Sequence, residues 1–140
     1  MRRLLIIVAV FCSVTFAVVA GATARVSSHV TDADAQCRGT DRVIPKRVRF
    51  ARGRTTAVIK DTVRLCTSHE YTLRARAGQM MSVHLATGNQ TSFSVYSPSN
   101  PLEGADGVKD WEGELPDTGE YTISIGTDAT ARYTLEVTIR

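Results

Sequence analysis

From Arg47 to Ile139 apolar side chains recur at every second position, and no helical period survives for two turns. That rhythm places successive side chains on opposite faces of an extended backbone, so the chain is predicted to be all-β. Early strands are expected over residues 47–50, 56–60 and 61–66, the last with Val63 and Leu65 alternating with Thr62 and Arg64. Tyr71, Leu73 and Ala75 face one way, and Ala77-Gly78-Gln79 reads as a hairpin turn into Met81, Val83 and Leu85. A Gly88-Asn89 turn leads to Phe93 and Val95, and Ser97-Pro98 ends that strand because proline cannot donate to a ladder.

Residues 97–110 form the longest connection, a length expected of a functional or mobile loop. Three closing strands are expected over 110–115, 121–125 and 131–139, joined by Pro116-Asp117-Thr118-Gly119 and Gly126-Thr127-Asp128-Ala129. Short strands at such spacing predict a single antiparallel, jelly-roll-like β-sandwich of about seven to eight strands. That domain is placed over residues 43–140.

The start of the chain is of a different kind. Met1-Arg2-Arg3 followed by the apolar run from Leu4 to Ala20 has the build of a secretory signal, with Ala22-Thr23-Ala24 as the cleavage site. The run is shorter than the roughly 20 residues of a spanning helix, so cleavage is favoured over an anchor and no membrane contact is expected afterwards. Phe11 precedes Cys12 where lipid attachment needs a small residue. A signal peptide is thus assigned to residues 1–24. Residues 25–42, rich in Ser, Thr, Asp, Ala and Gly, are assigned to a short disordered segment. The expected location is the periplasm or the extracellular medium.

Export changes the charge and the cysteine chemistry. Without Arg2 and Arg3, 15 of the 17 basic residues face 14 acidic ones, and Cys37 and Cys66 remain as an even pair. In an oxidising compartment that pair reads as a disulfide, stabilising by roughly 3 to 4 kcal/mol in the chain-entropy model. Lys46-Arg47-Val48-Arg49 is basic, but its charges alternate as on a solvated strand face and a single aromatic is interleaved. Nucleic-acid binding is therefore not expected. Histidines at 29, 69 and 84 lack zinc-ligand spacing.

No Gly-x-Ser-x-Gly elbow or comparable nucleophile motif occurs, so a binding protein is favoured over an enzyme, and no cofactor is expected. Asp110, Glu112 and Glu114 alternate along one strand and share a face. Calcium ligation and acid/base chemistry are open to them, but ion pairing with the outward Arg74 and Arg76 is favoured. Trp111, on the opposite side of that strand, is expected in the core.

Several segments together resemble the periplasmic inhibitors of goose-type lysozyme and the wider group of secreted pre-peptidase C-terminal-type sandwiches. They are Phe50-Ala51-Arg52-Gly53, Tyr71-Thr72-Leu73-Arg74-Ala75 with Ala77-Gly78-Gln79, Val95-Tyr96-Ser97-Pro98, Leu115-Pro116-Asp117-Thr118-Gly119-Glu120-Tyr121, and Tyr133-Thr134-Leu135-Glu136-Val137. The resemblance implies a protein partner, a lysozyme, whose cleft receives a Ser-Gly-x-Tyr-like turn corresponding here to Thr118, Gly119, Glu120 and Tyr121. Thr118 keeps the hydroxyl of the family's serine. Glu120 and Asp117 would meet catalytic carboxylates of like charge unless an arginine offsets them, with Arg52, Arg54 and Arg132 as donors. A second role is a noncatalytic adhesion or carbohydrate-binding module acting through the loop at 97–110.

Overall fold

The computed structural model describes residues 42–88 and 90–140; the N-terminal segments, Cys37 and Asn89 lie outside them. Alternation does what the sequence predicts. In the last strand Ala131, Tyr133, Leu135 and Val137 are buried while Arg132 and Glu136 are exposed. The strands are β1 (Arg42–Arg47), β2 (Thr56–Val63), β3 (Thr67–Ala75), β4 (Met80–Thr87), β5 (Thr91–Tyr96), β6 (Asp110–Glu114), β7 (Gly119–Thr127) and β8 (Ala131–Ile139). They form two four-stranded sheets, β1-β3-β7-β5 and β2-β8-β4-β6. The odd strands make one sheet and the even strands the other, so every connection crosses the sandwich. β1 and β3 pair in parallel and all other named pairs are antiparallel.

This corrects the hairpin expected through Ala77-Gly78-Gln79. β3 and β4 lie in opposite sheets, and Gly78, at φ 81°, turns an arch between the layers. Tyr71 and Leu73 therefore meet Met81, Val83 and Leu85 across the core rather than beside them in one sheet. The core also holds Phe93, Val95, Leu115, Tyr121, Ile123 and Ile125. Each such side chain stabilises by about 1.5–3 kcal/mol when fully buried.

Two strand limits also differ from expectation. The first strand ends at Arg47 instead of beginning there; Val48 stays buried and adds one ladder bond, from its N–H to the Thr72 carbonyl at 2.9 Å. Pro45 is accommodated because β1 is an edge strand, where a missing donor leaves no neighbour unsatisfied. The segments expected at 56–60 and 61–66 run on as one strand, β2, which ends at Val63 and in which Asp61 takes an inward position.

The long connection after β5 is pinned along that strand's outer edge. The Val95 N–H donates to the Ala105 carbonyl at 2.9 Å, and Phe93 and Val108 exchange both backbone bonds at 2.9 and 3.0 Å. Ala105 is buried. The loop thereby covers an edge that would otherwise offer open backbone groups.

Candidate functional site

The turn entering β7 is held from several directions. Tyr121, fully buried, donates its hydroxyl to the Asp117 carbonyl at 2.8 Å and accepts from the Asp117 N–H at 3.0 Å. The Ser97 hydroxyl donates to the Asp117 carboxylate at 2.9 Å, and the Thr118 hydroxyl accepts the Ala77 N–H at 3.0 Å. Gly119 is required by contact: a Cβ there would stand 2.6 Å from Cγ of Pro98. Tyr121 thus braces the turn from within, while Thr118, Gly119 and Glu120 line a groove of about 560 Å³ with Arg74, Ala75, Arg76 and Gln79.

The groove's charge is mixed. Glu120 pairs with Arg47 at 3.2 Å and stands across the ladder from Arg74. Arg74 and Arg76 carry no ion pair among the described residues. A hollow lined by Phe50, Arg54, Thr55 and Ile139 shares Arg74 and Gln79 with the groove, which brings Arg54 to this end. Arg132 sits toward the opposite end, across from Thr62, and Arg52 lies exposed in the β1–β2 loop. Of the arginines considered from sequence, Arg54 lines the hollow beside the turn, and Arg74 and Arg76 line the groove itself.

Arg74 and Arg76 were expected to pair with the acidic stripe, and they do not. Asp110, Glu112 and Glu114 share an exposed face of β6, as alternation predicts, but β6 pairs with β4 in the even sheet whereas Arg74 belongs to the odd one. Asp110 contacts His84, its register partner, and Glu112 accepts from Arg140 at 3.4 Å. Among the described residues no group of three His, Cys, Asp or Glu side chains is placed to hold a metal ion. Trp111 packs against the core partly buried; its indole N–H donates to the Glu103 carbonyl at 3.2 Å and its ring covers Gly113.

Sequence reasoning missed a polar cluster along the side of the sandwich where β1 and β2 are the two edges. Lys46 meets Asp61, and the Tyr71 hydroxyl donates to the same carboxylate oxygen at 3.2 Å. Tyr71 bonds Tyr133 at 2.7 Å, and Tyr133 bonds Nδ1 of His69 at 2.6 Å. Burial pushes the Tyr71 phenol up to about 12, and it raises Tyr133 as well. For His69 burial and the nearby Lys46 charge lower the pKa, Asp61 opposing. Burial of Asp61 acts upward, but Lys46 and the Thr62 N–H outweigh it and hold the carboxyl below its ordinary value. The signal was available: an acidic residue at an inward position of an alternating strand, which requires a buried cation or donors.

No protein-family model matches the chain, and no curated protein does either. Solved structures do. PliG of Aeromonas hydrophila, a periplasmic lysozyme inhibitor of g-type lysozyme, is similar with a TM-score of 0.64 and 28% identity over 72% of this chain and 100% of that one. The Salmonella Typhimurium PliG is similar with a TM-score of 0.56 and 18% identity over 72% and 100% of the two chains. A mutant of the Escherichia coli PliG gives 0.54 and 19% over 71% and 99%. The resemblance read from the sequence and the sandwich fold are both shown by these likenesses, the latter two bearing on the fold alone.

Proposed function

We propose that the chain is an exported binding protein that inhibits a g-type lysozyme by placing the Thr118–Tyr121 turn in the enzyme's cleft. The observation that carries this is the likeness to the Aeromonas hydrophila inhibitor, which extends over the whole of that protein. Thr118, Gly119 and Glu120 supply the contact surface and Tyr121 the internal brace. Glycosidase clefts carry paired carboxylates, and a turn bearing Glu120 would be repelled by them if it acted alone. Arg74 and Arg76 in the same groove, with Arg47 on Glu120 itself, supply the opposing charge.

The same proposal includes a signal peptide at 1–24, a flexible segment from residue 25 up to the start of β1 at Arg42, the sandwich domain from there on and residence in the periplasm or outside the cell. It includes the Cys37–Cys66 bridge, supported by a disulfide-bonded Cys66 at the β2–β3 turn. No catalytic step is assigned to the chain. The test is to add the purified mature domain in excess to goose-, chicken- and invertebrate-type lysozymes and follow lysis of cell walls. Suppression of goose-type lysis is expected. Full activity of all three enzymes would overturn the proposal.

A further inference from the structure

On the outer face of the even sheet, at the end away from Thr118, lies a second groove of about 520 Å³ lined by residues 60–62, 86–88 and 132–134. It arises from size alternation across three strands. Thr134 stands between Lys60 and Ala86 in register, and Thr62 stands opposite Arg132. Thr62, Ala86, Gly88 and Thr134 give a low floor, and Lys60 and Arg132 rise from it as long cationic walls. Asp61 also lines the groove, but its carboxylate is engaged by Lys46 and Tyr71.

Lys60 and Arg132 are diagonal neighbours across the β2–β8 ladder, a position at which like charges repel. Neither is ion-paired among the described residues. Glu136, on the same face, is diagonal to Lys60 on the side away from Arg132, so by register Arg132 has no acid beside it. A bound anion would relieve that repulsion. The groove is shallow and open and runs across strands, a shape for a chain lying over a sheet rather than for an enclosed small molecule. Thr62 and Thr134 occupy the other diagonal of the same four ladder positions, and their hydroxyls match a ligand that carries hydroxyl groups beside its negative charges.

We propose that this groove binds an anionic glycan, a sugar chain bearing carboxylate or phosphate groups, through Lys60 and Arg132. The site is separate from the Thr118 groove and independent of the lysozyme proposal. Titration of the mature protein with a short oligogalacturonate, followed by backbone NMR shifts, tests it. Saturable shifts are expected over residues 60–62, 86–88 and 132–134. Lys60→Gln and Arg132→Gln should each raise Kd about tenfold, as loss of a charge-assisted contact does, with the melting temperature unchanged. Neutral chito-oligosaccharide and inorganic phosphate should bind at least about tenfold more weakly. Absence of binding, unaltered affinity in the double variant, or equal binding of phosphate or of an oligoglutamate peptide would each overturn it. Lysozyme inhibition, measured on the same variants, should not change.

Discussion

The hydroxyls of Tyr71 and Tyr133 bond to each other at 2.7 Å, one from each sheet. The proton direction follows from the ends. Asp61 as a carboxylate only accepts, so Tyr71 donates to it, Tyr133 donates to Tyr71, and Nδ1–H of His69 donates to Tyr133. A single directed chain thus ties β3, β8 and β2 together where the sandwich has two free edges, and Lys46 of β1 completes it.

Removing the middle link should be costly. Tyr133→Phe leaves the Tyr71 oxygen and His69 Nδ1 without their partner in a buried place, a loss of about 1–3 kcal/mol. For a domain of this size that lowers Tm by about 4–8 °C per kcal/mol, read by thermal melting followed by circular dichroism. An unchanged melting temperature would mean the chain of bonds adds nothing net.

The same cluster sets a pH dependence. Above the ordinary imidazole value of about 6.5, His69 is neutral in folded and unfolded chains alike. Below it the unfolded chain takes up the proton first, because the folded pKa is lowered, so stability falls as pH drops toward that lowered value. Asp61, also lowered, contributes stability above about 3.8 that is lost as pH falls below it. Melting temperature should decline between about pH 7.5 and about pH 5, and His69→Gln should flatten that decline. Parallel profiles for the two proteins would assign the decline elsewhere.

Alternation in the sequence records which side chains face inward, and at Tyr71, Leu73, Phe93 and Ile123 it did so correctly, since all four are buried. It carries no mark of the sheet a strand joins. A tight Gly78 turn followed by a second alternating segment fits a hairpin and an arch equally, and only packing of both segments into one core chooses the arch. The error over Arg74, Arg76 and the acidic stripe descends from that. Asp61 was legible only in part: an acid at an inward position of an alternating strand signals inward partners, but alternation does not say that they are Lys46, Tyr71 and the Thr62 N–H. At the Thr118 turn the residue letters were legible, whereas the burial of Tyr121 and the nearness of Arg74 and Arg76 came only with the fold.

Gly119 offers a test of how tightly that turn is specified. A Cβ at this position meets Pro98, whose ring is fixed to its backbone and yields little. Gly119→Ala should destabilise by about 1–3 kcal/mol, the usual penalty of overpacking, whereas Gly126→Ala, with nothing near its Cβ, should cost well under that. Equal melting temperatures for the two variants would show that the turn moves aside freely.

The most direct measurement is cell-wall lysis by a goose-type lysozyme against increasing concentrations of the mature domain, in the wild type and in Arg76→Glu. Arg76 is exposed, so the reversal leaves the fold intact. Suppression of lysis by the wild type, and a midpoint about tenfold higher for Arg76→Glu through loss of charge complementarity, is the predicted result. Undiminished lysis at excess wild-type domain would contradict the account.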